Sequence, residues 1–413
     1  MFEFVNKMRK IFTKDNLLKL LIFFIFGALA VSGFVNSSKQ KVAGNKTAFP
    51  DLAKEIVNKC VQAVYRPTCY EDEIPKLMDT FTMEQAFDVT RLVQDLDRTY
   101  TYCHVLGHKL SAIETAKDPS KWKDVVARSP SGLCSNGSIH GAFQERFRTE
   151  ALTDDEIDMY KPEFTDVCEP RGTWQPTGLE QGTCYHALGH LFMYITSAQI
   201  ERSVTLCDEL AIKDNGQRNY SKLCYDGTFM QIFQPLEAED FALVEGKVPD
   251  KTDVQKFCQQ YKAEARSSCW TESWPLVRSE VMQSDGLVQF CEKGVLTSAA
   301  DIDRCYLGMF YVLTAQFQFD SGKITTLCNG LPYTRQGQCF ANAASRLIET
   351  DYRNIEKSVS LCASAKSELQ NQCFSELLFY STYNFHAETP EFYHLCNSLP
   401  EQWKMKCLNS TSK

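Results

Sequence analysis

Four of the seven histidines in this chain occur in two copies of one short motif. The first copy is YCHVLGHKL, with His104 and His108, and the second is TCYHALGHLF, with His186 and His190. Histidines four positions apart lie on one face of a helix, so both imidazoles of a pair can point at the same ion. Imidazole nitrogen is a ligand that suits zinc, copper and iron. Each pair is therefore a candidate part of a transition-metal site.

A fifth histidine belongs to the same pattern. His140 lies six positions after Cys134, the spacing that also separates the second histidine of the later motif from its cysteine. When the next unit is aligned on Cys224, Asp226 and Met230 occupy the corresponding positions and offer additional ligand atoms. The alignment therefore predicts that five histidines converge on one inner surface.

Two assemblies of three histidines are open at this point. Helix axes in a stack lie about 8–10 Å apart, so imidazoles can share an ion only across adjacent helices. Three nitrogens with an open fourth position would suit zinc, copper or iron, and a haem held between helices is a second form of cofactor site. The alternative ligand sets are His104, His108 and His140, or His140, His186 and His190.

The same histidines also allow interpretations without a metal. They can line a groove for a polar ligand, or form a structural hydrogen-bond network in a scaffold for protein–protein interactions. A metal-dependent enzyme is a third function, although the chain contains no His-Glu-x-x-His, Gly-x-Ser-x-Gly, P-loop or G-x-G-x-x-G motif. The net charge of -8 gives no reason to expect a nucleic-acid partner.

The elements that would position these residues are indicated by the cysteines. Cys305, Cys339, Cys373 and Cys407 follow one another at a spacing of 34 residues. A fixed period in the thirties is typical of stacked two-helix units. The sequence therefore predicts an all-α fold, an α-solenoid of about nine helical hairpins, each of roughly 34–50 residues.

The sequence within the units supports hairpins of two helices. In the segment 339–362, two stretches with apolar residues at helical spacing flank the polar break ETDYRN, and in the next unit Pro390 opens the second helix. We expect the first cysteine of each pair to end a second helix, and the next cysteine to open the following first helix. A disulfide between them would join neighbouring hairpins.

The eighteen cysteines accordingly divide into nine neighbouring pairs. Cys103 and Cys134 have no closer partner and both lie where a first helix should open, so we predict that they pair with each other; the alternative is two free thiols. The predicted disulfides are Cys60–Cys69, Cys103–Cys134, Cys168–Cys184, Cys207–Cys224, Cys258–Cys269, Cys291–Cys305, Cys328–Cys339, Cys362–Cys373 and Cys396–Cys407.

This layout resembles the cysteine-rich Sel1-like repeats, which are relatives of the tetratricopeptide repeats. The residues that carry the resemblance are the cysteine spacing and the Leu-Gly-x-x-aromatic pattern, as in Leu307 to Tyr311 and Leu188 to Phe192. The resemblance implies disulfides between hairpins and a curved α-superhelix whose concave face would bind a protein partner. The glycine-rich turn and the lysine-alanine pair of that family are mostly missing here.

The N-terminal part predicts export. Basic residues in 1–19 precede an apolar run at 20–35, which we interpret as a transmembrane signal anchor, with a cleaved signal peptide as the alternative. A polar linker at 36–52 would lead to the repeat domain at 53–413. Disulfides form in oxidising compartments, so the bulk of the chain should be extracytoplasmic: periplasmic, extracellular or lumenal.

Overall fold

The structure is a computed structural model that describes residues 48–100, 102–130, 132–147, 151–236, 238–293 and 295–411. The segments predicted as 1–19 and 20–35 lie outside these residues. No helix within the described ranges is long and apolar enough to cross a membrane. Helix α1 begins at Phe49, inside the segment expected to be a linker.

The described part of the chain is all-α, as predicted, apart from one two-stranded hairpin, β1 (Ile212–Lys213) and β2 (Arg218–Asn219). Its 22 α-helices include eight that we call the inner helices, because they surround a central cavity. The inner helices are α4 (His104–Lys117), α6 (Gly137–Phe147), α8 (Gly178–Ile195), α10 (Ser221–Phe233), α13 (Ala263–Glu272), α16 (Ala299–Gln316), α18 (Tyr333–Thr350) and α20 (Ser367–Asn384).

The other helices precede the inner helices, lie between them or follow them along the chain. Short 3-10 turns join several of them, and the turn Cys134–Asn136 leads directly into α6. These helices are α1 (Phe49–Cys60), α2 (Arg66–Glu73), α3 (Met83–Leu96), α5 (Trp122–Ala127), α7 (Asp154–Val167), α9 (Ile200–Leu210), α11 (Ala238–Leu243), α12 (Val254–Gln259), α14 (Arg278–Val281), α15 (Ser284–Glu292), α17 (Ser321–Gly330), α19 (Ile355–Ser364), α21 (Pro390–Ser398) and α22 (Glu401–Leu408).

Nine disulfides join the helices, and their pairs are the nine predicted from the spacing, including Cys103–Cys134. No cysteine among the described residues is free. Nine disulfides indicate that the chain folds in an oxidising compartment. Except for the partly buried Cys69, the half-cystines are buried in one continuous hydrophobic core together with aromatic clusters such as Trp122, Phe143 and Phe147.

The expectation that the second cysteine of a pair opens a helix is wrong for most units. Cys339 lies in the second turn of α18, which already begins at Tyr333, and Cys184 lies at the same depth in α8. Antiparallel helices joined by a short loop pack side by side only beyond that loop. The two sulfurs therefore meet about one to two turns from the connection. Cys103 and Cys134 do lie where predicted, immediately before α4 and in the turn before α6.

The inner helices follow one another around the cavity, and the last returns to an earlier one. Each inner helix packs on the next along the chain, and α20 also packs against α8. At this junction Tyr383 fills the space over Gly178 and Gly182. An added Cβ on Gly178 would lie 2.3 Å from the Tyr383 ring, and one on Gly182 would lie 2.9 Å from the Tyr383 hydroxyl. Arg353 completes the closure by donating hydrogen bonds to Asp95 (2.6 Å) and Gln94 (2.8 Å) at the end of α3.

Candidate metal centre

The five motif histidines project from three consecutive inner helices. His104 and His108 lie one turn apart on α4, His140 lies on α6, and His186 and His190 lie one turn apart on α8. The two helices with paired histidines therefore flank the helix with the single one.

Glycines allow these helices to approach backbone to backbone. An added Cβ on Gly137 would lie 2.3 Å from the carbonyl oxygen of His104, and one on Gly141 would lie 2.1 Å from that of His108. An added Cβ on Gly107 of α4 would lie 3.0 Å from the amide nitrogen of Ser138. The same close approach occurs between α8 and α10, where an added Cβ on Gly189 would lie 2.0 Å from the carbonyl oxygen of Cys224. The helices are thus close enough for their imidazoles to meet.

The five rings form one continuous cluster centred on His140. Its ring centroid lies 5.1 Å from that of His104 and 5.2 Å from that of His108. On the other side it lies 5.5 Å from the ring of His186 and 5.1 Å from that of His190. Both assemblies predicted from the sequence therefore share His140, as expected from its place on the middle helix.

Within the described residues, His104, His108 and His140 are the group that brings three ligand atoms within 4.8 Å of one another. The set with His186 and His190 shares the central ring but does not reach this proximity. All three residues of the closer group are buried. The structure therefore favours the first of the two predicted ligand sets as the place where one ion could be held.

Hydrogen bonds determine which nitrogens of the first pair face each other. The backbone carbonyl of Cys134 accepts from His104 Nδ1 at 3.3 Å, and Gln144 Oε1 accepts from His108 Nδ1 at 3.1 Å. An imidazole that carries its proton on Nδ1 has a lone pair on Nε2. The two Nε2 atoms lie 3.0 Å apart. Two lone pairs thus face each other, and a cation between them would relieve their repulsion.

The second pair repeats this arrangement. Gln231 Oε1 accepts from His190 Nδ1 at 2.7 Å, and the Nε2 atoms of His186 and His190 lie 3.2 Å apart. The backbone of Leu223 forms a further hydrogen bond with the His186 ring. Between the two pairs, the buried His140 Nε2 has no hydrogen-bond partner among the described residues.

Burial keeps the imidazoles neutral. Removal from water, together with the charges of His190 and Arg346, lowers the pKa of His104 to about 4, against the opposing effect of the hydrogen bond to the Cys134 carbonyl. Burial, followed by the neighbouring histidines, also holds the pKa of His108 and His140 well below the usual value. A proton is therefore a poor occupant of the space between the facing nitrogens, and a metal ion bound to neutral imidazoles is a better one.

The additional ligand candidates lie near the cluster without joining it. Asp226 and Met230 line the central cavity, but Asp226 accepts hydrogen bonds from Lys222 Nζ at 2.7 and 3.0 Å. The remaining histidines, His386 and His394, lie in the connection after α20 and on α21, and neither belongs to the group of three ligand atoms.

Sequence reasoning missed the glutamines of the site. Gln144 lies four positions after His140 and Gln231 one position after Met230, so each follows a residue that the alignment had already selected. Helical spacing from His140 would have placed Gln144 on the same face. Its partner on the neighbouring helix could not be foreseen in the same way.

Comparisons with known proteins identify no relative, so a functional conclusion depends on the geometry of the site. No protein-family model matches the chain, and no significant similarity to a curated protein or to a solved structure was found.

Proposed function

We propose that this protein binds a first-row transition-metal ion through His104, His108 and His140. The observation that carries the proposal is the 3.0 Å separation of two buried Nε2 atoms whose Nδ1 atoms are both committed as donors. Two nitrogens that bind one ion at about 2.0–2.1 Å, with an angle of about 90–109° between them, lie about 2.9–3.4 Å apart. The facing nitrogens already have this separation.

The donor set narrows the class of ion. Three neutral imidazoles suit zinc, copper or iron rather than magnesium or calcium, which prefer oxygen. A haem fits less well, because its ring plane would have to pass between imidazoles whose centroids are 4.6 Å apart in the first pair. His186 and His190, with facing nitrogens at 3.2 Å, extend the site on the other side of His140.

A metal-dependent enzyme is the second candidate function. His104, His140 and His186 line the central cavity, so an ion held by three histidines would have its open coordination position near a space that a small molecule can enter. Three protein ligands and an open position are typical of catalytic zinc sites. The scaffold function has no comparable observation in its favour.

The location of the protein is part of the same proposal. The apolar run at 20–35 would anchor the chain in a membrane and place the disulfide-bonded helical hairpins outside the cytoplasm. We retain the Sel1-like solenoid as an interpretation of how these hairpins are related, supported by the cysteine period.

The test is the metal content of the full-length chain, produced with its disulfides in metal-replete medium and measured by elemental analysis. We expect about one or more zinc, copper or iron ions per wild-type chain. His140→Ala should lose this metal, because the variant lacks the shared ligand. His386→Ala, which alters an exposed histidine, is the matched control and should keep the ion. A folded wild-type chain without stoichiometric metal, or full occupancy in a folded His140→Ala variant, would refute the proposal.

A further inference from the structure

The central cavity has a second chemical feature, a buried cation apart from the histidines. The cavity has a volume of about 360 Å³, which lies in the range of small-molecule sites. Arg346 of α18 lines it and is 6% exposed. Burial of a guanidinium is costly unless anionic or accepting groups surround it.

The partners that Arg346 has do not satisfy it. Nη1 donates to the hydroxyl of Tyr311, and the guanidinium lies 3.6 Å from the centroid of the Tyr311 ring. The nearest carboxylate is that of Glu349 at 3.9 Å, beyond hydrogen-bonding distance. Nε has no hydrogen-bond partner among the described residues. The cation therefore retains donors that a ligand could use.

The neighbouring carboxyl group neutralises Arg346 only in part. Burial raises the pKa of Glu349 to about 7, against the lowering effect of Arg346 itself. The pair then carries a net positive charge of at most one, which matches a monoanion better than a dianionic phosphate. A planar carboxylate also fits the fork of a guanidinium with two parallel hydrogen bonds.

The other residues that line the cavity indicate the chemical nature of the rest of the ligand, which we call its body. Leu307 and Val312 provide apolar surface, and Tyr380 and Tyr383 provide aromatic rings. Two further buried groups lack partners within the described chain, the Asn342 Oδ1 acceptor and the Trp274 Nε1 donor. An apolar or aromatic body with a polar substituent would satisfy these groups.

We propose that the central cavity binds a small organic carboxylate, with its carboxylate on Arg346 and its apolar body extending toward the histidine wall. The anchor on Arg346 does not involve the histidines, whereas the placement of the body beside a metal ion rests on the proposed function. His104 and Tyr102, whose rings stack with centroids 5.8 Å apart, line the same cavity and connect the two parts of it.

The experiment uses the full-length chain, titrated calorimetrically with the aromatic carboxylates benzoate, phenylacetate and 3-phenylpropionate, and with phenylacetamide as the uncharged counterpart of phenylacetate. We expect saturable binding of at least one carboxylate and binding of phenylacetamide that is about 10-fold weaker or more, because a charge-assisted pair is lost. Arg346→Gln should weaken carboxylate binding by a similar factor, and Arg346→Lys by less. Arg304→Gln, which alters a partly exposed arginine on α16, is the control.

The result that would overturn the inference is the absence of saturable binding across all three carboxylates, or equal binding of phenylacetate and phenylacetamide. Equal affinity in the wild type and a folded Arg346→Gln variant would overturn it as well. If Arg346→Gln does not fold, the difference in affinity between phenylacetate and phenylacetamide on the wild-type chain tests the proposal instead. Repeating the titration after treatment with EDTA separates the proposals, since the Arg346 anchor should persist without metal.

Discussion

At the scale of single residues, the carboxamide of Gln144 determines which nitrogen of His108 carries the proton. Its oxygen accepts from Nδ1 at 3.1 Å and so leaves the Nε2 lone pair directed at the cluster. Outer partners of this kind orient the ligand ring and increase its basicity. Gln144 would therefore act on a bound metal ion through His108, without touching the ion.

We predict that Gln144→Ala lowers metal affinity by about 10- to 100-fold while the chain remains folded. The loss follows because the His108 ring can then rotate and take up the other tautomer. Competition of the protein with a chromophoric chelator measures the affinity. Gln259→Ala, at an exposed position on α12, should leave it unchanged; equal affinities for the two variants would contradict the role of Gln144.

Burial of the histidines also predicts how the metal-free protein responds to acid. The pKa of His104 is lowered by burial to about 4, whereas an unfolded histidine titrates near 6.5. Below pH 6.5 the unfolded chain takes up protons first, so stability should fall as the pH decreases toward about 4 and then cease to depend on this group. The slope is at most about 1.4 kcal/mol per pH unit for each such histidine.

Urea unfolding of the EDTA-treated chain between pH 7 and pH 4 measures this dependence. Other groups titrate over the same range, so the difference between the wild type and His104→Gln isolates the contribution of one ring. This difference should change in favour of the variant as the pH falls, and His386→Gln, which alters an exposed histidine, is the control. A pH-independent difference for His104→Gln would contradict a neutral, buried imidazole.

At the scale of elements, the site depends on two helix pairs that pack through glycine. Gly137 and Gly141 of α6 lie against the carbonyls of His104 and His108, while Gly227 of α10 lies against that of His186. The atom nearest to the added Cβ is in each case a backbone carbonyl oxygen, which cannot move aside as a flexible side chain can. The imidazoles therefore converge only because the glycines allow the helices to pack this closely.

We predict that Gly141→Ala separates α4 from α6 and destabilises the chain by about 2–3 kcal/mol, because the methyl group would lie 2.1 Å from the His108 carbonyl oxygen. Metal content should fall with it. Chemical denaturation and elemental analysis of the same preparation test both effects. In Gly322→Ala the nearest atom is a side-chain oxygen of Asp320 at 3.2 Å, so this control should change stability little. Retention of metal and stability in Gly141→Ala would contradict the packing argument.

The elements were predictable from the chain to the extent that local spacing determines them. The cysteine period predicted hairpins such as α18 and α19, and Pro390 does begin α21. Alignment on the cysteines also selected His140 as the shared histidine. The depth of Cys339 within its helix was not predictable, because it depends on where two packed helices come into contact rather than on spacing along the chain.

At the scale of the whole molecule, the return of α20 to α8 brings together the walls of the cavity that His104, His140, His186 and Arg346 line. A second closing contact joins Arg353, in the turn before α19, to Asp95 of α3 across 258 residues. No periodic signal could reveal it, because it requires the accumulated rotation of the intervening helices. For the same reason the sequence does not single out Arg346, which is one arginine among many and becomes distinctive only where α18 lines the central cavity.

We predict that Arg353→Ala weakens the closure and lowers the free energy of unfolding by about 1–3 kcal/mol, because hydrogen bonds to Asp95, Gln94 and Asp351 are lost together. Arg98→Ala is the matched control, since Arg98 also pairs with Asp95 but at 3.5 Å and largely in solvent. It should cost less than about 0.5 kcal/mol. Urea unfolding measures both values.

The metal content of Arg353→Ala should remain that of the wild type, because the packing of α4 on α6 is local and does not pass through this junction. Hydrogen exchange should become faster in the segments around Gln94 and Arg353 while the amides of α4 and α6 keep their protection. Binding of phenylacetate should weaken, since the cavity that holds it requires the inner helices to meet. Loss of metal together with loss of closure would instead mean that the histidine cluster is maintained by the whole circuit of helices.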